Sequence, residues 1–235
     1  MKSIITVIAA LSAGCAVDAV STGTSSQDLT AQNKLATNKL ATNKLATNKL
    51  ATNKLATNSL GASDLMSTPD GRDVMSYLIG CALTTGQTFV DYDPNGNQYS
   101  FPGWLGLATA WADRTPTVDE RQLVSACLLS RTNYFGVTVQ LSLRGDSPLL
   151  TLDDGEVAAY PAEESAFWGD FFDPSGVIQE HACESAAKVA DEGNASYTLR
   201  QCATPAGDGT TKCGFTYDGT CGSQVPSSGI HVWLH

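Results

Sequence analysis

Apolar residues recur at helical spacing in two segments of the chain. In the first, Pro69 stands between a threonine and an aspartate, an order that begins helices, and apolar side chains follow at intervals of three and four. In the second, Thr117 and Glu120 have the spacing of a capping box ahead of another apolar series. The pattern predicts one helix over residues 69–83 and a second helix that ends near residue 133.

Elsewhere the pattern has the period of two that is typical of strands. Residues 87–92 and 98–101 are rich in strand-forming side chains and flank the turn formers PNGN, which predicts a hairpin. Apolar and polar residues alternate over residues 137–144, which predicts a strand with one polar face. The aromatic group at residues 167–172 is expected to pack on the core. Together these elements predict a single α+β domain over residues 63–235.

The first residues have the composition of an export signal. Lys2 is followed by an apolar run at residues 4–11 and then by the small residues that precede a signal cleavage site. This run is too short to cross a bilayer, because a spanning helix needs roughly 20 apolar residues. Residues 1–14 are therefore predicted to be a signal peptide rather than a membrane anchor.

The end of this segment, LSAGC at residues 11–15, resembles the lipobox of bacterial lipoproteins. The resemblance implies that Cys15 is acylated and begins the mature protein, and that Ala16 after it favours the outer membrane. Ser12 departs from the motif, which has a large aliphatic residue at that position. The alternative is ordinary cleavage after Ala16 or Ala19, which removes Cys15.

A tandem repeat follows a linker of residues 15–32. The pentapeptide NKLAT occurs five times without change between residues 33 and 57, and a degenerate sixth copy ends at residue 62. A period of five places successive leucines on different sides of a helix or a strand, whereas a square β-helix directs all of them inward. The run resembles pentapeptide-repeat proteins, although asparagine occupies the position of their small inward residue. The alternative is a flexible polar spacer, and both interpretations make residues 33–62 a spacer between domain and membrane.

Cysteine parity supports export independently. The chain has seven cysteines, and acylation or removal of Cys15 leaves six, which can form three disulfides in an oxidising compartment. The chain has no C-x-x-C pair, so the spacing does not favour zinc. Six cysteines permit many pairings. The preferred pairing joins the two helices with one disulfide and uses two local clasps in the Cys-rich C-terminal part: Cys81–Cys127, Cys183–Cys202 and Cys213–Cys221.

Charge excludes one class of function. The chain has 14 basic and 24 acidic side chains, a formal net charge of -10, and the residues after position 60 carry 8 basic against 22 acidic ones. This excess of negative charge excludes nucleic-acid binding through the phosphates, which needs a positive face. With 42% hydrophobic and 16% charged residues, the chain is expected to be globular.

Two sets of residues have types suited to hydrolysis. Ser147 in a GDS triplet is similar to an esterase nucleophile and His231 is a candidate base, although Pro148 follows the serine. Adjacent acidic residues belong more often to a solvated loop than to an active site. Two acidic groups are nevertheless candidate acid–base pairs: Asp153, Asp154 and Glu156, and Glu163 with Glu164.

No metal or cofactor is predicted. The oxygen ligands at residues 91–97 resemble the first half of a calcium loop, but Pro102 replaces the required bidentate glutamate, so a plain β-turn is favoured. The three histidines are too dispersed for a metal site. Trp104, Trp111 and Trp168 are assigned to the core rather than to ligand stacking.

Three segments of the chain together resemble a known group of proteins. They are YLIGCAL at residues 77–83, FPGWLGLA at 101–108 and VSACLLSRTNYFGV at 124–137. They look like a group of exported, often lipidated proteins of myxobacteria and relatives, several of which carry asparagine- and leucine-rich repeats. The resemblance covers most of residues 65–220, and it implies a compartment and an architecture but no particular chemistry.

These observations lead to one expectation and one alternative. The expectation is an exported, lipid-anchored bacterial envelope protein of the outer membrane with a surface or binding role, whose partners are the membrane and an unidentified ligand or protein. The alternative is a secreted hydrolase that uses Ser147 and His231 or a carboxylate pair. A binding module should present an exposed apolar or aromatic patch, whereas an enzyme needs a pocket where titratable groups converge.

Overall fold

The computed structural model describes most of the chain after residue 63 and three short strands before it. The predicted signal peptide, Cys15 and most of the repeat lie outside the described residues. The described residues are 23–24, 35–37, 40–41, 64–150 and 152–235.

The described residues form helices and strands in mixed order, as the α+β prediction requires. The helices are α1 (Pro69–Ala82), α2 (Val118–Ser130), α3 (Asp154–Ala159) and α4 (Ala186–Ala190). The strands are β1 (Gly23–Thr24), β2 (Leu35–Thr37), β3 (Leu40–Ala41), β4 (Thr88–Tyr92), β5 (Gln98–Pro102), β6 (Thr132–Asn133), β7 (Gln140–Arg144), β8 (Ala162–Asp170), β9 (Gln179–Glu184), β10 (Thr216–Thr220) and β11 (Ile230–Leu234).

Helix α1 confirms the first predicted helix. Thr68 is its N-cap, and the Thr68 hydroxyl accepts a hydrogen bond from the Gly71 backbone N–H at 3.0 Å. Pro69 occupies the first turn, where its missing N–H has no intrahelical partner to lose. The helix ends where Leu83 adopts an extended conformation.

Helix α2 confirms the second predicted helix and its capping box. The Thr117 hydroxyl accepts from the Glu120 N–H at 3.3 Å, and the Glu120 carboxylate accepts from the Thr117 N–H at 2.7 Å. The helix ends at Ser130, before the predicted boundary. The hydroxyls of Ser130 and Thr132 donate to carbonyls of the last turn, and the chain then continues as β6.

We expect the start of α2 to be stabilised by the charge of Glu120. Arg114 donates hydrogen bonds of 2.8 and 2.7 Å to this carboxylate, and these bonds lower the pKa of Glu120 below its ordinary value of 4.5 in spite of desolvation. A lowered carboxyl pKa stabilises the fold fully above the unfolded value, and the stabilisation is lost as the pH falls through the folded-state pKa. In urea titrations Glu120→Gln should therefore be less stable than the wild type at pH 7. The difference should shrink below pH 4.5, and a constant difference would contradict this role.

A small sheet contains the predicted hairpin. β4 and β5 pair antiparallel with Phe89 opposite Phe101, which confirms that prediction. Gly96 has a φ of 83° in the connecting turn, a conformation that favours glycine. β1 pairs parallel with β5 on its other edge.

A larger sheet has the strand order β10-β9-β8-β11-β7-β2. β10 and β9 are parallel, whereas the other neighbouring strands are antiparallel. The predicted strand over residues 137–144 is β7, which begins only at Gln140. Leu141 and Leu143 are buried as the alternation predicted, but Val137 is exposed and lies outside the strand.

The core lies between the helices and one face of this sheet. α2 packs against β8 and β11, and α1 packs beside α2 and against β5. The predicted aromatic group contributes to it: Phe167, Phe171 and Phe172 are fully buried, and Phe172 meets the buried Trp111 edge to face at 4.8 Å. This packing fixes the orientation of the sheet and leaves its opposite face turned away from α2.

Three disulfides join the six cysteines after residue 15, and only one predicted pair is correct. Cys81–Cys127 joins α1 to α2, as predicted. The predicted pairs Cys183–Cys202 and Cys213–Cys221 are wrong. The structure contains Cys183–Cys221 and Cys202–Cys213 instead.

Strand pairing explains the corrected connectivity. β10 runs parallel to β9, so the carboxyl ends of both strands meet, and Cys221 directly after β10 donates its N–H to Glu184 at the end of β9. This brings Cys221 beside Cys183. Disulfides of this kind form and persist in oxidising compartments, so the three bonds indicate an extracytoplasmic location.

The longest of the described helices, α1, has 14 residues. None of these helices is long and apolar enough to cross a bilayer.

Two copies of the repeat contribute strands to the domain. β2 from the first copy pairs antiparallel with β7, with Leu35 opposite Ser142 and Thr37 opposite Gln140. β3 from the second copy pairs parallel with β6. The described repeat residues therefore lie along strands of the domain, where they pair with backbone groups of β7 and β6.

Candidate functional site

One face of the larger sheet carries charged and aromatic side chains. On β11, Ile230, Val232 and Leu234 are buried in the core, so the alternating His231 and Trp233 point to the other side of the sheet. Strand register places further partly exposed residues beside these two. We call this surface the outer face, and it comprises Arg144, Glu163, Trp168, His181, Asp218, His231 and Trp233.

At one end of the outer face, His181 lies between an aromatic ring and a carboxylate. It is directly opposite Trp168 in the sheet, and the two rings stack with their centroids 5.6 Å apart. The Nδ1 atom of His181 is 2.8 Å from a carboxylate oxygen of Asp218. The carboxylate fixes the orientation of the imidazole, and the indole covers one of its faces.

The position of Trp168 corrects the sequence assignment. Trp104 and Trp111 are buried in the core, as predicted, but Trp168 is partly exposed on the outer face. Its neighbour Phe167 is fully buried, and successive strand residues point to opposite faces. An aromatic run therefore supplies both a core residue and a surface residue.

A second cluster lies at the other end of the outer face. The Nδ1 atom of His231 is 2.7 Å from a carboxylate oxygen of Glu163. Arg144, which is opposite His231 in register, holds its guanidinium 4.1 Å from the centre of the Trp233 ring, within the range of a cation–π contact. Burial lowers the pKa of Arg144, and the nearby carboxylates of Glu156 and Glu163 oppose that shift.

The two histidine clusters are separated across the sheet. His181 and His231 lie on strands on either side of β8, beside Trp168 and Ala166 respectively. The ordinary strand spacing and rise place their backbones about 12 Å apart. The outer face is therefore suited to an extended ligand rather than to a single reacting group.

The adjacent glutamates on β8 do not form an acid–base pair. Glu163 lies on the outer face with His231, whereas Glu164 is fully buried beside Arg200 and Lys188. The strand directs the two side chains to opposite sides. The structure therefore does not bring Glu163 and Glu164 together at one site.

Glu164 belongs to a buried ionic cluster, which we define as Glu164, Glu184, Lys188 and Arg200. Lys188 Nζ is 3.0 Å from Glu184 and 3.9 Å from Glu164, and Arg200 Nε is 3.3 Å from Glu164. All four side chains are almost completely excluded from solvent. Burial lowers the pKa of Arg200, and the Glu164 charge opposes this shift. Two positive and two negative charges balance inside the domain, as buried charges require.

The structure does not assemble the predicted Ser147–His231 site. The Ser147 hydroxyl accepts from the Leu149 N–H at 3.3 Å, at the start of a short 3-10 turn, Pro148–Leu150. His231 pairs with Glu163 instead. Within the described residues, no hydrogen bond joins Ser147 to His231.

The remaining acidic candidates have local structural roles. Asp153 is the N-cap of α3 and accepts from the Glu156 N–H at 2.8 Å, while Asp154 lies in the first turn. Glu156 is buried on that helix. In the calcium-like segment, Asp93 accepts from the N–H groups of Asn95 and Asn97, so its carboxylate closes a turn.

A separate apolar groove is lined by residues around the start of β7 and the end of β11. Its volume is about 290 Å³. The histidine–carboxylate pairs are not among its lining residues. The groove is formed by Val137, Thr138, Val139, Gln140, Leu199, Leu234 and His235.

Sequence reasoning missed Arg144, Asp218 and Trp233 as partners on the outer face. The alternation IHVWL at residues 230–234 was the available signal, because it predicts a strand with His231 and Trp233 on one side. Nothing in the sequence indicates that Asp218 lies beside His181, since β9 and β10 are joined through a long segment that contains the short helix α4.

Comparison with known proteins identifies no relative of this chain. No family model matches the chain, and neither a curated protein nor a solved structure is significantly similar to it.

Proposed function

We propose that this chain is an exported bacterial envelope protein, anchored in the outer membrane through an acylated Cys15, whose acidic domain binds an extended partner through the outer face. The observation that supports it most is the outer face itself. Two indoles, an arginine and two histidine–carboxylate pairs are presented together on one face of a sheet. The disulfides support the extracytoplasmic half of the proposal.

Residue types favour a protein partner. Tryptophan and arginine contribute most often to the energy of protein–protein interfaces, and an open sheet face offers a broader contact than a small-molecule pocket. The histidine–carboxylate pairs and Arg144 supply polar groups of both signs at the same surface. Charge alone therefore does not select the partner, which must also cover the indoles.

A rebinding assay tests the outer face. The exported Cys15→Ser chain, which lacks the acylation site, is titrated against envelopes from cells that do not make the protein. We expect saturable binding that weakens about 30-fold in Trp233→Ala, because central tryptophans contribute about 2 kcal/mol or more. Tyr92→Ala is the control, since Tyr92 is exposed on the small sheet and is not one of the residues of the outer face.

Two results would contradict the proposal. One is equal binding by Trp233→Ala and the wild type, provided both have the same melting temperature. The other is loss of binding in Tyr92→Ala to the same extent, because the binding surface would then lie elsewhere or be nonspecific.

The hydrolase alternative has one observation in its favour. The Glu163–His231 contact orients an imidazole as a carboxylate does in hydrolytic triads. A fluorophosphonate probe tests it directly: labelling of Ser147 that disappears in His231→Ala would establish the hydrolase. We expect no labelling of Ser147, because its hydroxyl bonds to the backbone of its own turn.

A further inference from the structure

Two adjacent copies of the repeat pair with two strands of the domain. The first copy supplies β2, which pairs with β7, and the second supplies β3, which pairs with β6. We call β6 and β7 the docking strands. Each contact is short, with three paired residues on β7 and two on β6. Pairings of this length are individually weak.

The repeat makes these two positions equivalent for other copies. NKLAT recurs without change over residues 33–57, so a shift of the chain by five residues brings identical residues to both docking strands. With five copies, four adjacent pairs fit: first with second, second with third, third with fourth, and fourth with fifth. The last of these places Leu50 opposite Ser142 and Thr52 opposite Gln140, the same residue types as in the first.

The linkers on either side compensate for each shift. Thr24 at the end of β1 is ten residues from β2, and β3 is followed by 22 residues, 42–63, before the domain continues at Asp64. A shift by one copy lengthens the first linker by five residues and shortens the second by five. Because loop-closure entropy depends on the logarithm of length, the four arrangements differ by less than about twofold in population from this source.

We propose that the docking strands bind any two adjacent NKLAT copies of the same chain, so that the repeat occupies four registers in exchange. Each shift from one register to the next changes the length of chain on the N-terminal side of the domain by one copy. One copy spans about 17 Å when extended. The repeat then acts as a tether of adjustable length. This inference does not depend on whether Cys15 is acylated or on what the outer face binds.

Engineered disulfides in the full exported chain test the registers. Gln140→Cys is combined in separate variants with Thr37→Cys, Thr42→Cys, Thr47→Cys or Thr52→Cys. Residues directly opposite each other in antiparallel strands lie within reach of a disulfide. After mild oxidation, the fraction with an added intrachain bond is measured by peptide mapping. We expect all four fractions to agree within about twofold, the range set by loop closure.

A matched control distinguishes cross-links that form in a paired register from cross-links that form by random collision of the two thiols. Lys44→Cys with Gln140→Cys places the thiol two positions from Thr42 and three from Thr47. It is therefore about 7 Å or more along the strand from any residue that pairs with Gln140, beyond the usual reach of a disulfide. This variant should cross-link least. Cross-linking by Thr37→Cys alone, with the others at the Lys44→Cys level, would show one fixed register and overturn the inference. Failure of Thr37→Cys, or cross-links that join two chains, would also overturn it.

An independent measurement uses hydrogen exchange. Leu35→Pro with Thr37→Pro removes strand-forming capacity from the first copy only. If other copies replace it, the amides of β7 retain their protection. Loss of β7 protection in this variant, with the remaining core amides unchanged, would contradict register exchange.

Discussion

Glu164→Gln should lower the free energy of unfolding by about 3 to 5 kcal/mol, the effect expected when one member of a buried ion pair is removed. Glu164 is fully buried between Arg200, at 3.3 Å, and Lys188, at 3.9 Å. Without its charge, the buried cluster keeps two positive side chains and only one negative one. The charge of Arg200 is compensated mainly by the charge of Glu164. The buried Nε and Nη1 atoms of Arg200 make no hydrogen bond among the described residues, so the ion pair with Glu164 is what offsets their burial.

The neighbouring glutamate provides the control. Glu163→Gln removes the same charge one residue away, but its side chain is 27% exposed on the outer face. Exposed ion pairs contribute about 1 kcal/mol or less. Urea unfolding at pH 7 should therefore separate the two variants by about 2 kcal/mol or more. Equal stabilities would contradict the assignment of Glu164 to a buried ionic cluster.

Removing the Cys81–Cys127 disulfide should be the second large effect. The bond closes a sequence separation of 46 residues, and both cysteines are fully buried between α1 and α2. From loop length alone, Cys81→Ala with Cys127→Ala should lose about 4 kcal/mol of unfolding free energy. Removing buried sulfur atoms from the core adds to this loss.

The shortest disulfide is the comparison. Cys202–Cys213 has a separation of 11, so Cys202→Ala with Cys213→Ala should lose about 3 kcal/mol by the same reasoning. Both double variants are compared with the wild type in urea under non-reducing conditions. A larger loss for the 202/213 pair than for the 81/127 pair would contradict the loop-length account.

The two long helices could be predicted because their signals are local. Thr68, Pro69, Thr117 and Glu120 cap backbone groups within three residues of themselves, so sequence order alone determines the contact. The hairpin of β4 and β5 is equally local, since its turn residues adjoin both strands. Contacts of this kind do not depend on how the rest of the chain folds.

The disulfide pairing could not be predicted in the same way. Sequence proximity favoured Cys213 for Cys221, but the parallel pairing of β10 with β9 brings Cys221 to Cys183. Strand order in a sheet depends on contacts between distant segments, and neighbouring cysteines give no information about it.

The outer face was missed for a related reason. The sequence showed acidic residues and histidines separately, but Glu163 meets His231 only because β8 and β11 are neighbours. Glu163 and Glu164 were grouped by adjacency, although a strand separates adjacent side chains. Once the strands are known, alternation assigns Trp168 and Phe167 to opposite faces. The register shift between Val232 and Trp233 in the β8–β11 pairing then brings Glu163 to the same face as Trp168.

The most direct test of the whole account is the intact mass of the wild-type chain extracted from the cell envelope, alkylated before or after reduction. We expect a chain that begins at Cys15 with acyl mass on that residue, and six thiols that react only after reduction. Recovery of the entire 235-residue chain from the cytosol, with its cysteines alkylated without reduction, would contradict export and the disulfide-bonded fold together.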